Sequence, residues 1–192
     1  KTEEKSSGKV GHKIASYSKC SMLFVPENWD ENLNRILVPV DYSEHSAYAL
    51  FQAFHMANKV NPPPEICSQN VVKVPYGHYK IGKSYHEFAE IMKGHASKNY
   101  SKFLEKFFGD HEKPACDFSA HSHPNVAKQV LDHAREINAS MIILGSKGQT
   151  RSARMLLGSV AEKMIFNNHD IVMMIDKKKG EIFHLLDAIN KL

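Results

Sequence analysis

The strongest constraint on this chain lies between Met141 and Val160, where a short apolar run leads into a glycine-rich segment and then a helical pattern. Residues 141–144 are all apolar, a run too short for a helix and typical of a buried parallel strand. Glycines follow at positions 145, 148 and 158. A strand, a glycine loop and a helix in this order favour phosphate binding, because the loop approaches an anion closely and the helix N-terminus adds a favourable dipole. The alternative is a surface loop with incidental glycines.

The spacing of these residues, Gly-x2-Gly-x9-Gly-Ser from Gly145 to Ser159, resembles that of the universal stress protein family. In that family the pattern lies between the fourth strand and the fourth helix, and ATP-binding members use it for the phosphates. The resemblance extends from Arg35 to about Ile175. It implies a stress-response sensor or regulator that binds ATP or a related adenine nucleotide, with or without magnesium.

Strand-like and helical segments alternate along this region. The strand-like runs are 36–40, 66–74, 116–120, 141–144 and 171–175. Such alternation predicts an α/β fold with a parallel sheet and right-handed crossovers. The resemblance implies five strands in the order 3-2-1-4-5 with helices on both faces, a Rossmann-like fold of the adenine nucleotide alpha hydrolase type. The ligand crevice of such a sheet lies where the strand order reverses, here between the first and fourth strands.

The resemblance assigns residues from four segments to this crevice. Asp41 ends the first strand and would contact the ribose, although it could instead cap the following helix. Pro39 and Val40 would line the adenine side, and Val71 would offer its backbone to the adenine edge. The phosphates would be held by five residues of the glycine stretch: Gly145, Gly148, Gly158, Ser159 and Val160. Three basic residues are further candidates for phosphate contacts: Lys83, Lys147 and Arg151.

The second strand departs from the family pattern, because it reads Ser68-Gln69-Asn70 where the family usually has apolar residues and a histidine. This departure leaves the assignment of Val71 open by a residue or two. No general base or dedicated magnesium ligand stands out, so hydrolysis should be slow or absent. A rival function is a nucleotide-free interaction module, in which the glycine loop only shapes a dimer surface.

Two other patterns in the sequence suggest different binding sites. Residues 77–84, GHYKIGKS, satisfy the Walker A pattern, so a second alternative is an ATPase that uses Lys83. Against it, the preceding strand is polar and the next supplies no acidic residue to hold magnesium. We interpret this segment as a variable loop able to close over the nucleotide. His121 and His123 are suited to zinc, but no third ligand is close in sequence, and we favour surface histidines and no metal site.

The segments outside the main domain have their own interpretation. Residues 8–25 align without a gap with residues 158–175, at a constant offset. We therefore interpret residues 1–26 as the last helix and strand of a preceding copy of the domain; the alternative is an unrelated N-terminal arm. The expected segments are the remnant at 1–26, a linker at 27–34, the domain at 35–176 and an amphipathic helix at 177–192.

The N-terminal strand at residues 21–25 must find a partner, because an apolar strand cannot remain isolated. We expect it to pair antiparallel with residues 171–175, at the edge of the sheet. The partners predicted from this pairing are a tandem copy within one chain or a second copy in a homodimer.

Composition excludes several classes of protein. Hydrophobic residues make up 42% and charged residues 24% of the 192 residues, which is typical of a globular domain with a sizeable core. The net charge of +4 is mild and dispersed, so no nucleic-acid partner is predicted. No apolar run is long enough to cross a membrane. The three widely spaced cysteines indicate a reducing compartment, and we expect a cytoplasmic protein.

Overall fold

The computed structural model describes residues 3–29, 31–75, 82–109, 113–122, 125–148 and 157–177, with backbone only for residues 3–8. Strands and helices alternate along these residues. In chain order they are α1 (Glu3–Tyr17), β1 (Met22–Phe24), β2 (Arg35–Pro39), α2 (Glu44–Ala57), β3 (Glu65–Lys73), α3 (Tyr85–Phe108), β4 (Cys116–His121), α4 (Val126–Glu136), β5 (Met141–Gly145), α5 (Ser159–Asn167) and β6 (Val172–Asp176).

The strands form one sheet in the order β1-β6-β5-β2-β3-β4. Strands β2 to β6 are parallel and follow the predicted order 3-2-1-4-5, counted from β2. The predicted number of five parallel strands is wrong in detail, because β1 adds a sixth strand and makes the sheet mixed. The physical reason is the unpaired edge of β6, whose backbone groups β1 covers.

Two apolar layers lie on opposite faces of the sheet because successive strand side chains alternate between faces. Leu37, Ile142 and Met173 face α1, α4 and α5, and all are almost fully buried. Ile36 and Ile143 face α2 and α3. The sheet is therefore covered on both sides, and its open positions are the ends of the strands.

The N-terminal segment is fastened to the far edge of the sheet. Strand β1 pairs antiparallel with β6, with Leu23 opposite Met174, which confirms the pairing expected within the chain. The Ser21 hydroxyl donates to Asp176 Oδ1 at 2.8 Å, and Lys177 Nζ donates to the carbonyl of Ser18 at 2.7 Å. The origin of this segment in a preceding copy, and a homodimer, remain predictions.

The helix predicted over residues 177–192 lies outside the described residues beyond residue 177. Among the helices that the structure describes, none is long and apolar enough to cross a membrane.

Candidate functional site

A cleft of roughly 360 Å³ opens at the carboxyl ends of β2 and β5, where the strand order reverses. The structure brings all nine residues predicted to bind nucleotide into its wall: Pro39, Val40, Asp41, Val71, Gly145, Gly148, Gly158, Ser159 and Val160. Its remaining wall residues are Tyr42, Ser46, Gln69, Asn70, Val126, Val130, Leu144, Lys147 and Ala161. Two segments about a hundred residues apart thus meet at one site.

The glycine segment is closed by backbone hydrogen bonds at its base. Gly158 N–H donates to the carbonyl of Ser146 at 2.7 Å, and Ser146 N–H donates to the carbonyl of Asp176 at 2.9 Å. These bonds bring the start of α5 back beside the end of β5. Because the first N–H groups of a helix have no intrahelical acceptor, the first turn of α5 presents donors and a partial positive charge to the cleft.

The three glycines of this segment differ in what an added Cβ atom would meet. A Cβ at Gly145 would lie 2.6 Å from the main-chain oxygen of His45 in α2, so this glycine lets the helix pack on the strand. A Cβ at Gly148 would lie 2.6 Å from Asp41 Oδ2. At Gly158 the nearest atoms, in Ser146 and Lys147, would be 3.3 Å away, which is tight but not a clash. Gly145 therefore serves packing, whereas Gly148 serves the cleft.

Asp41 lies at the end of β2 with its carboxylate beside Gly148. Its Oδ1 accepts a hydrogen bond from Ser43 N–H at 3.1 Å. The alternative role of capping α2 belongs to Ser43, whose hydroxyl oxygen accepts from Ser46 N–H at 3.2 Å. The cap of α2 is thus provided by Ser43, and Asp41 lies in the wall of the cleft.

Tyr42 turns the chain sharply away from the sheet directly after Asp41. Its φ of +66° lies in the left-handed region, which non-glycine residues adopt infrequently. The phenol donates to the carbonyl of Ala96 in α3 at 2.9 Å, and burial raises the pKa of Tyr42 above its usual value. The anchored ring holds this turn, which no pattern in the sequence predicts.

The polar run of β3 is accounted for by three separate contacts. Ser68 accepts a hydrogen bond from the Tyr100 hydroxyl at 3.0 Å, and Asn70 Nδ2 donates to the carbonyl of Val40 at 2.7 Å. Gln69 Nε2 lies 3.5 Å from the carbonyl of Gln129 in α4. The departure from the family pattern at Ser68-Gln69-Asn70 was the available sequence signal for two wall residues of the cleft, Gln69 and Asn70.

The backbone of Val71 faces the cleft because residues of β3 alternate between neighbouring strands. Gln69 accepts from Val40 N–H on the β2 side, whereas Ser68 and Val74 donate to the β4 side. Val71 therefore faces the β2 side, two residues beyond the last paired position of β2, Pro39 opposite Gln69. A main-chain donor and acceptor at this place suit the edge of a planar base.

The three basic candidates have different positions. Lys147 lines the cleft, and Lys83 is exposed and is not among its wall residues. Arg151 lies outside the described residues. A cation from Lys147 at the same end as the α5 N-terminus makes this part of the cleft suited to phosphate oxygens.

The other two sequence patterns are only partly described. Residues 77–81 of the Walker-like segment lie outside the described residues, and Ser84 caps α3 by accepting from Glu87 N–H. His121 ends β4, and His123 lies outside the described residues. No group of three potential metal ligands from His, Cys, Asp and Glu occurs among the residues that the structure describes.

Comparison with known proteins identifies relatives of this chain. The model of the family described as "Universal stress protein family" matches residues 32–169. Universal stress protein MJ0531 of Methanocaldococcus jannaschii is 28% identical over 158 residues, which cover 79% of this chain and 87% of the relative. Universal stress protein YxiE of Bacillus subtilis is 29% identical over 134 residues, covering 68% of this chain and 90% of the relative.

Solved structures share the fold. Universal stress protein UspA from Lactobacillus plantarum superposes with a TM-score of 0.55 at 18% identity, covering 77% of this chain and 99% of that chain. A universal stress protein from Archaeoglobus fulgidus gives a TM-score of 0.56 at 21% identity, covering 90% of this chain but 55% of that chain. At these identities the likeness concerns the fold.

Proposed function

This chain belongs to the universal stress protein family, and on that premise we propose that it binds ATP or a related adenine nucleotide as a stress-response sensor or regulator. The observation that carries the proposal is the meeting of Asp41 and Gly148 across the cleft, beside the N-terminus of α5. A carboxylate that suits sugar hydroxyls and a helix N-terminus that suits phosphate thus lie in one cleft.

The wall residues divide into three parts that match the three parts of a nucleotide. Pro39, Val71 and Val130 give one end an apolar wall with backbone groups of β3, which suits a base. Asp41 lies at the β2 end and would accept from the ribose hydroxyls. Lys147, together with Gly148 and the other glycine-segment residues named above, would receive the phosphates.

The proposed role is binding rather than turnover. Asp41 is the one carboxylate among the described wall residues, and if it contacts the ribose, no second acidic side chain of that part of the wall is left to activate water or to hold a metal ion. Magnesium, if it accompanies the nucleotide, would be coordinated by the phosphates and water rather than by a set of protein ligands. Hydrolysis should therefore be slow or absent.

The test is calorimetric titration of the full chain with ATP, with and without magnesium, in wild type and Gly148→Ala. The added methyl group would press on Asp41 Oδ2, so we expect the affinity to fall at least about tenfold. Gly94→Ala is the matched control, because a Cβ at Gly94 in α3 meets nothing within 4 Å. The control should bind ATP as the wild type does.

The same titration separates the rival functions. If the wild type gives no heat with ATP or ADP, the proposal fails and a nucleotide-free interaction module takes its place. If ATP binds equally to wild type and Gly148→Ala but is lost in Lys83→Ala, the Walker-like segment is the site. Gly158→Val provides a second variant, since its branched side chain would crowd Ser146 and Lys147.

A further inference from the structure

Gln69 is an unusual residue in the wall of the cleft. It lies in β3 with 3% of its surface exposed, and its Oε1 is one of two buried side-chain oxygens or nitrogens without a hydrogen-bond partner among the described residues. A buried amide oxygen without a partner is costly, and most such groups are satisfied. The other unpartnered atom, Ser119 Oγ, does not belong to the cleft wall.

The orientation of the Gln69 amide follows from its hydrogen bond to the carbonyl of Gln129. Nε2 faces the carbonyl oxygen of Gln129, which can only accept, so the amide nitrogen must point to α4 and the oxygen away from it. Gln69 lies on the same face of β3 as Val71, and Val126 and Val130 of α4 line the cleft on this side. Gln69 is therefore part of the wall at the apolar end, where the base is placed by the proposed function.

We propose that Gln69 selects the base, with its Oε1 accepting a hydrogen bond from the exocyclic amino group of a 6-aminopurine. This inference rests on the proposed function and names the ligand class more closely. An amino group supplies the donor that Oε1 lacks. The 6-oxo group of hypoxanthine would instead place one acceptor against another, in a wall where water cannot easily intervene.

A small movement of the Gln69 side chain is needed for this contact, because Oε1 has less than 1 Å² of exposed surface. The bond from Nε2 to Gln129 is long, at 3.5 Å, so little is lost when the amide turns toward the cleft. The competing explanation is a buried water that satisfies Oε1 without reading the ligand. The two explanations differ in whether base selectivity depends on Gln69.

The experiment compares ATP with inosine triphosphate, which differs from ATP in the group at position 6 of the purine. The full chain is titrated with each nucleotide as wild type, Gln69→Met and Gln129→Met. Methionine keeps the unbranched length of glutamine and removes the acceptor. Gln129→Met is the matched control, because the hydrogen bond from Gln69 goes to the main-chain carbonyl of Gln129, which the substitution keeps, and Gln129 is not among the cleft wall residues.

We expect the wild type and Gln129→Met to prefer ATP by about tenfold or more, and Gln69→Met to bind the two nucleotides within about threefold of each other. An ATP preference that is the same in Gln69→Met and wild type would overturn the inference and support the buried water. If the wild type binds neither nucleotide, the proposed function fails and the inference fails with it.

A ligand-side measurement keeps the inference testable if Gln69→Met does not fold. The wild type is titrated with purine riboside triphosphate, which has hydrogen in place of the amino group. The affinity should fall about fivefold or more relative to ATP, because Oε1 again has no donor. Equal affinities for the two nucleotides would contradict the proposal without any substitution in the protein.

Discussion

The cleft and the outer edge of the sheet differ in how their polar groups are satisfied. At the edge, Ser21 bonds to Asp176 and to the backbone N–H of Lys177, whose ammonium group in turn bonds to carbonyls at the end of α1. In the cleft, Gln69 Oε1 has no partner among the described residues, and α5 begins with donors that no helical acceptor reaches. The polar groups described at the edge are paired within the fold, whereas the cleft wall includes a buried acceptor, Gln69 Oε1, without a described partner.

The substitution Gly145→Ala should have the largest effect, a loss of stability. It tests whether Gly145 serves the packing of α2 on β5, although it lines the cleft. In Gly145→Ala the methyl carbon would lie 2.6 Å from the His45 carbonyl oxygen, and α2 or β5 must shift. We expect the free energy of unfolding to fall by about 3 kcal/mol or more, measured by urea denaturation. Gly94→Ala, with open space around the new methyl group, should not lose stability. Equal stability of both variants would contradict the packing role.

Asp41 should show the opposite behaviour, with a larger effect on binding than on folding. In Asp41→Ala the lost carboxylate should weaken ATP binding by about 10- to 100-fold, the usual worth of a hydrogen bond to a charged group, measured by calorimetry. The control is Ser43→Ala, which removes the α2 cap and should cost about 1 kcal/mol of stability while keeping ATP affinity. The assignment of Asp41 fails if the two variants bind ATP alike.

Lys177 tests the outer edge, where stability should change and binding should not. Its ammonium group donates to the carbonyls of Ala15 and Ser18, and Lys177→Met keeps the aliphatic stem while removing these donors. We expect the free energy of unfolding to fall by about 1.5 kcal/mol with unchanged ATP affinity. Lys163→Met, at an exposed position of α5, is the control without loss of stability. A loss of ATP affinity in Lys177→Met would contradict the expectation that contacts at the outer edge contribute to stability and not to nucleotide binding.

Asp170 should give the smallest effect and a pH dependence. The guanidinium of Arg135 donates to both carboxylate oxygens, at 2.7 and 2.9 Å, and lowers the pKa of Asp170. A lowered pKa stabilises the fold above the usual Asp range, and this contribution is lost as the pH falls through the folded-state pKa. Because both side chains are more than 40% exposed, Asp170→Asn should cost less than about 1 kcal/mol at neutral pH.

The measurement for Asp170 is urea denaturation at pH 7 and at a pH below the folded-state pKa of this carboxyl. The difference between wild type and Asp170→Asn should disappear at the lower pH, where both side chains are neutral. A difference that persists there would mean that the substitution acts through packing rather than charge.

Much of the cleft could be predicted because its signals are local. The glycine spacing from Gly145 to Gly158 and the position of Asp41 after a strand are visible in the chain itself, and the structure brings them together. The sixth strand followed from one apolar run with an obvious need for a partner. The completed sheet nevertheless has six strands and is mixed, rather than five parallel strands, because sheet edges are completed by whichever segment reaches them.

The missed residues have in common that their roles depend on neighbours distant in sequence. Tyr42 holds the turn after Asp41 by reaching Ala96 in another helix, and its positive φ is not encoded by a glycine. In the sequence, Gln69 is only a departure from the family pattern. The packing of α4 against β3 shows that its amide nitrogen faces Gln129 while its amide oxygen has no partner among the described residues. Neither the hydrophobic periodicity nor the spacing of residues in the sequence indicates contacts between distant elements.

The sequence by itself determined the alternation of strands and helices, the parallel core and the glycine segment at the end of β5, because each follows from residues close together in the chain. Only the tertiary structure decided which glycine serves packing and which faces Asp41, since that depends on the approach of α2 and β2 to β5. It also decided that Gln69 lies in the cleft wall with a buried amide oxygen that has no partner among the described residues. Distances between separate elements are set by packing, and packing is a property of the whole fold.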